Sequence, residues 1–391
     1  MNDLPSQAES HADDIVEAVS YEASLPETKE FLPWHLPRKQ YVRHYQWCEQ
    51  IGRMLDDVPL TDQTLKYLGL PGIDLLDLRY FHTEICEQRS ISLRFLGFNS
   101  SAKPSSSAHT ELNISLDEVR HLHRVDPMSH VIGDNFALVA QENSIACRKA
   151  RELGPYDVIN LDLCDGFGAQ APGELNNSYY NAVNSLFALQ ARTKNPWLLL
   201  LTTRADKQNV DPNVLQTLLT KYIDNLASCK AFLDASREKF AIETEEALRA
   251  ATETPDGLLS VFLTGLCKWF LGLALARQPP TSVELRSVIG YRVNHDAEHE
   301  DIISLALRFT PTFVPAEDPL KLASQPAAAP DECTLSTRAL KRIAKRVDAD
   351  EKLANDAALN MSMIDATATL LGLARYDMEA YRLWLQNFNY A

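Results

Sequence analysis

Two carboxylates, Asp162 and Asp165, close the stretch Tyr156-Asp157-Val158-Ile159-Asn160-Leu161-Asp162-Leu163-Cys164-Asp165-Gly166-Phe167-Gly168. A carboxylate taken out of water is costly without a partner, so two of them beside Gly166 and Gly168 point to a place that binds and orients something. The apolar run before them follows the turn pair Gly154-Pro155, which is the pattern of a strand buried on both faces. Ligands of open α/β sheets sit just beyond the carboxyl ends of such strands. The same residues also describe a buried strand that simply ends in a polar turn. Asp162 and Asp165 are the candidate catalytic residues.

Two basic stretches could hold an anion. Arg38, Lys39, Arg43 and His44 alternate with Trp34, Tyr41 and Trp47 on a helix opened by Pro37. Cations beside aromatic rings can grip phosphates and stack bases. Alternatively, the rings pack on a core and the charges are solvated. Arg338, Lys341, Arg342, Lys345 and Arg346 recur at helical spacing opposite Leu340, Ile343, Ala344 and Val347. That face suits phosphate or an acidic partner, and a solvated face is the plain alternative. His121, His123 and His130 match no standard ligand spacing and sit beside Arg120 and Arg124; His295, His299 and Asp296 in a polar turn could form a weak metal site, but a solvated turn is the better reading, so no metal site is expected.

These residues need elements to position them. Leu65 to Gly72 reads as a strand entering a glycine turn, Ile73 to Glu87 as a helix, and Ile91 to Phe98 as a second strand. A Ser-rich loop and a helix over Leu116 to His123 follow, the helix started near Ser115 with Glu118 in a capping box. His130 to Phe136 is a third strand, Glu142 to Leu153 a helix, and Pro196 to Arg204 a nearly all-apolar fifth strand. Five strand–helix alternations predict a parallel sheet with right-handed crossovers. A long helical stretch from Asn213 to Arg249 precedes an apolar helix at 258–276. Val283 to Val293 and Asp301 to Val314 then pair as an antiparallel hairpin at the sheet edge. The apolar helix carries Lys268 at its centre, which argues for a buried or partner-covered helix and against a membrane span.

The chain divides into an acidic tail at 1–30, a Rossmann-like body at 31–314, a Pro/Ala linker at 315–333 and a helical segment at 334–391 that packs on the body or on another protein. The tail holds eight acidic residues against one lysine, nearly half of the formal −15, so net charge leaves nucleic acid open as a partner. Seven scattered cysteines without a CxxC pair imply free thiols and a reducing cytoplasm.

The layout resembles class I S-adenosylmethionine-dependent methyltransferases over about residues 37–314: a seven-stranded, mostly parallel α/β sheet with an antiparallel C-terminal hairpin. Gly69-Leu70-Pro71-Gly72 is similar to the glycine loop after the first strand. Asn99 stands where the family has an acidic ribose ligand, and Gly133-Asp134-Asn135-Phe136 where a motif flanks the adenine. Asp162 to Gly166 falls at the fourth-strand catalytic motif. The resemblance implies S-adenosylmethionine as cofactor, held by Gly69, Gly72, Asn99, Asp134 and Asn135. The chain also resembles poorly characterised methyltransferase-like proteins of bacterial accessory and defence gene clusters. Departures are plain. The acidic residue before the glycine loop is absent, the Pro-Pro-aromatic motif of amino-methyltransferases is missing, and Cys164 is not placed as a cytosine-5 nucleophile. P-loop, GxGxxG and nucleophile-elbow motifs are absent too, which disfavours a nucleotide-processing enzyme on another fold. Two readings follow: a cytoplasmic enzyme methylating nucleic acid, and an inactive scaffold or sensor of a defence complex with the same fold.

Overall fold

The computed structural model describes residues 29–163, 166–169, 178–293, 299–312 and 330–387. Cys164, Asp165, His295 and Asp296 lie outside them, as does most of the acidic tail and of the Pro/Ala stretch.

A helical run opens the body. It comprises α1 (Pro37–Val42), a π-helical turn (Arg43–Cys48) and α2 (Glu49–Asp57). Then β1 (Thr64–Gly69) leads to α3 (Leu76–Phe81), and β2 (Ser92–Phe98) to α4 (His109–Arg120). The helix predicted from Ser115 starts six residues earlier, and Ser115 is a buried mid-helix residue rather than a cap. Next come β3 (His130–Ile132) and α5 (Ile145–Leu153), then β4 (Val158–Asp162), α6 (Tyr179–Gln190) and β5 (Trp197–Arg204). The third strand is shorter than expected because Asn135 caps a 3-10 turn at Phe136–Ala140. The long helical stretch is three helices, α7 (Pro212–Ser228), α8 (Lys230–Phe240) and α9 (Glu245–Ala251). The apolar helix α10 spans Pro255–Leu275. The hairpin is β6 (Thr281–Tyr291) and β7 (Ile302–Pro311). The chain then adds α11 (Glu332–Ile343), the two-residue β8 (Val347–Asp348), α12 (Ala349–Asn355), α13 (Ala357–Leu373) and α14 (Met378–Asn387).

All eight strands form one sheet in the order β3-β2-β1-β4-β5-β7-β6-β8. Strands β1 to β5 are mutually parallel, β7 runs antiparallel between β5 and β6, and β8 adds a short parallel edge. This is the class I methyltransferase-like arrangement. Parallel strands need both faces covered, and β4 and β5 are buried along nearly their whole length. Successive side chains point to opposite faces. Leu68, Ile159, Leu161, Leu199 and Leu201 pack on α5, α6 and α10. Tyr67 faces the other way, toward Trp47 and Phe81 beneath the N-terminal helical run.

Among the described residues one helix is long and apolar enough to cross a membrane, α10, with mean hydropathy 1.9, and 72% of that window is buried in the fold. Phe262, Leu266 and Phe270 have no exposure, and Lys268 reaches Glu332 at 3.4 Å. It is the core helix the central lysine implied. The C-terminal helices belong to the same compact unit as the sheet. Arg79 donates to Leu373 O, Tyr376 to Asp74 Oδ2 and Tyr381 to His35 O. One cysteine expectation is corrected. Cys229 and Cys333 are joined as a disulfide across 104 residues, while Cys48, Cys86, Cys147 and Cys267 are free. A pair so far apart in sequence leaves no spacing signal; α7, α8 and α11 bring it together in space.

Candidate functional site

The carboxyl edge of the sheet gathers the ends of β1, β2, β4 and β6. Asp162 ends β4 and Tyr291 ends β6, while Asp77 lies in the first turn of α3, reached from β1 through the glycine loop. The N-terminal run lies against this edge and delivers two cations to it. Lys39 Nζ is 2.7 Å from Asp162 Oδ1 and 3.5 Å from the Tyr291 hydroxyl. The same ammonium lies 4.6 Å from the centre of the Trp47 ring and 5.9 Å from that of Tyr291. One turn on, Arg43 Nε donates to Asp77 Oδ1 at 2.6 Å.

The electrostatics are those of an interior. Burial alone would lower the Lys39 pKa, yet the Asp162 carboxylate, then Tyr291 and Asp77, raise it above its ordinary value. Burial raises Tyr291 while Lys39 pulls it down. Tyr67, which adjoins the Asn160 amide, is pushed well above its ordinary value by burial and then by Asp77. A polar seam continues along this face. Gln46 Nε2 and Trp47 Nε1 donate to the Ser304 carbonyl and hydroxyl, and Thr202 meets that same hydroxyl at 2.9 Å. One donor in the cluster, Arg43 Nη1, is buried without a hydrogen-bond partner.

Arg38, Lys39 and Arg43 were expected to meet phosphate from solvent. The fold corrects this: all three are buried, Arg38 against Asp350 at 2.9 Å, Lys39 against Asp162 and Arg43 against Asp77. The partners Asp77, Tyr291 and Asp350 were not singled out from sequence. An acidic residue between Leu76 and Leu78 on a buried helix was the available signal for Asp77.

The cofactor residues expected from the glycine loop and strand ends are mostly engaged by the protein itself. Asn99 Nδ2 donates to Pro71 O at 2.8 Å and its Oδ1 accepts from Ser101 N at 2.8 Å. Asp134 Oδ2 accepts from Ala146 N in the first turn of α5, and Asn135 Oδ1 from Ala137 N. A Cβ at Gly69 would fall 2.6 Å from the Tyr67 ring, so glycine there serves side-chain packing rather than a ligand. Pro71 fills the loop; a Cβ on Gly97 would meet its ring at 2.8 Å. Gly72, the other glycine of the loop, faces open space, with nothing within 4 Å of where its Cβ would be. Asn99, Asp134 Oδ2 and Asn135 thus spend hydrogen bonds on capping turns.

The second basic stretch behaves differently. Arg338, Lys341, Arg342 and Lys345 are exposed, and none closes an ion pair among the described residues. Lys341 helps hold the Glu238 carboxyl below its ordinary value, after the hydrogen bond from Lys239. Arg346 leaves this face, pairing with Asp256 and, at 3.5 Å, with Glu300. Helix α11 ends at Ile343, so Lys345 and Arg346 lie in the turn into β8 rather than on a longer helix.

Comparison with solved structures returns methyltransferase folds at low identity. A protein assigned as a class I S-adenosylmethionine-dependent methyltransferase from Listeria monocytogenes is 10% identical, with TM-score 0.35, 81% of this chain and 73% of that one covered. A protein assigned as a spermidine synthase from Corynebacterium glutamicum is 12% identical, with TM-score 0.29, 72% and 67% covered. A protein assigned as a modification subunit of a type I restriction enzyme from Vibrio vulnificus is 12% identical, with TM-score 0.30, 67% and 43% covered. At these scores the fold assignment rests on the strand order, not on the neighbours. A search of the curated proteins finds no match. A family model does match, over residues 28–386, nearly the whole length: the chain belongs to the PP_RS20740-like family.

Proposed function

We propose that this methyltransferase-like protein binds nucleic acid and uses its fold as a scaffold or sensor rather than as a transferase. The observation that carries the reading is the face of four exposed cations on and just after α11, none in an ion pair among the described residues. Phosphate backbones are bound by such faces through counterion release, which makes affinity fall steeply with salt. The absence of transfer is supported by Asn99, Asp134 and Asn135, whose side chains are engaged in caps, and by Asp162, which is neutralised by Lys39. The resemblance noted above supplies the setting, a bacterial cytoplasmic assembly such as an anti-phage defence complex.

A second reading, methyl transfer to nucleic acid, is favoured by one feature: Asp162 and the open Gly72 both lie at the carboxyl edge of the sheet, with Asp165 close by in sequence. Calorimetric titration with S-adenosylmethionine and its demethylated product separates the two. The scaffold reading expects no binding at millimolar ligand. Micromolar binding to both compounds overturns it in favour of the enzyme. Absence of oligonucleotide binding at low salt overturns the nucleic-acid part of either reading, and binding that ignores salt removes the cationic face from it.

A further inference from the structure

We propose that Cys229 and Cys333 form a redox-operated clasp on α11, holding its cationic face in place when oxidised and loosening it when reduced. The inference rests on the nucleic-acid reading of that face.

The two residues close a junction between elements far apart in sequence. Cys229 caps the start of α8 and is 3% exposed, whereas Cys333 sits in the first turn of α11 and is half-buried. Their Cα atoms are 5.6 Å apart, a separation a disulfide spans without moving the backbone. Helix α11 is packed along its length through Leu335, Ala339, Leu340 and Ile343. Its first turns add polar ties to that packing: Asp331 accepts from Cys333 N and Thr334 N, Asn225 donates to Ser336 at 2.7 Å, and Lys268 reaches Glu332. The disulfide is the covalent tie of the first turn, ahead of the first buried leucine, and Arg338 follows about one turn later.

Three of the other thiols are poor competitors. Burial pushes Cys48, Cys86 and Cys267 up to about 12, which holds them protonated and unreactive at neutral pH. Cys333 is the more exposed residue of the pair. A small-molecule thiolate attacks its Sγ, and Cys229 leaves as a thiolate that takes a proton. A second thiol then resolves the mixed disulfide and departs as the oxidised small-molecule disulfide. Closure runs in reverse: a small-molecule disulfide takes two electrons from the two cysteine thiols and leaves as two thiols. In a reducing compartment a disulfide of this kind is transient and responds to redox state.

The test uses the full chain equilibrated in glutathione buffers of defined thiol-to-disulfide ratio, with the pair followed by alkylation and mass. Amide exchange over residues 332–343 and binding of a fluorescent single-stranded DNA oligonucleotide are read in both states. Oxidation should slow exchange in the first turns of α11 by about tenfold and tighten oligonucleotide binding by about threefold to tenfold. The double variant Cys229→Ser with Cys333→Ser should behave as the reduced protein and ignore glutathione. Failure of the pair to form, or identical exchange in both states, overturns the clasp. Equal oligonucleotide affinity in both states overturns its control of the face and leaves the nucleic-acid reading standing. Redox-dependent exchange with no oligonucleotide binding in either state supports the clasp and overturns the nucleic-acid reading.

Discussion

The two basic stretches look alike in sequence and end in opposite environments. Around Lys39 and Arg43 the cations enter the interior, each set against one carboxylate; on and just after α11, four cations of similar spacing stand in solvent without an ion-pair partner among the described residues. Both stretches lie on helices with an apolar face. In α11 that face is continuous, through Leu335, Ala339, Leu340 and Ile343, so packing alone turns the cations outward. In the N-terminal run nearly every residue from His35 to Arg43 is buried, because the helix is covered by the sheet edge on one side and by α12 and α13 on the other. A cation there must find a carboxylate, since an unpaired buried charge costs several kcal/mol. Charge spacing reports a helix; it does not report which side faces water.

The contrast is open to direct attack. Arg43→Ala leaves Asp77 buried without its cation and should lower stability by about 3–5 kcal/mol, read from the urea midpoint. A loss below about 1 kcal/mol would mean that water reaches Asp77, erasing the difference between the two stretches. Lys39→Ala should lose less, about 2–3 kcal/mol, because the Asp162 side chain keeps 25% exposure and can be partly rehydrated.

Asp157 sharpens the point, as a half-buried carboxylate whose Oδ2 accepts from the backbone N–H of Lys66. Desolvation pushes its carboxyl up to about 6, against the pull of that hydrogen bond. Its folded pKa lies above the unfolded value, so its stabilisation is complete below the ordinary carboxylate range and is lost as pH rises through about 6. Asp157→Asn should therefore gain about 1–3 kcal/mol at pH 8 and flatten the stability profile between pH 4 and 7. An unchanged profile would show the carboxylate to be hydrated.

The smallest stability effect belongs to α11. Lys341→Glu combined with Arg342→Glu should change stability by less than about 1 kcal/mol in total. The same change should weaken oligonucleotide binding by about tenfold or more and reduce the salt slope by about two. Unaltered binding would remove α11 from the nucleic-acid surface.

Much of the architecture was legible. Apolar runs bounded by turns marked β1, β4 and β5, their alternation with helices implied the parallel sheet, and Lys268 marked α10 as a core helix. Boundaries were less legible where side-chain caps compete with regular structure. Asn135 ends the third strand early, and Asp331 and Ala344 bound α11 more tightly than its periodicity suggested. Asp162 ends β4 at the carboxyl edge of the sheet, but its partner Lys39 lies 123 residues away in helix α1.

By itself, then, the sequence determined what local chemistry determines: where strands and helices run, which faces are apolar, and which residues carry charge. Tertiary structure alone decided what those charges meet. Lys39 with Asp162, Arg43 with Asp77 and Cys229 with Cys333 are pairings between elements distant in the chain, brought together by the packing of helices on the sheet edge and on one another. Burial and partnership are properties of the assembled sheet edge, and no spacing within one helix or strand encodes them.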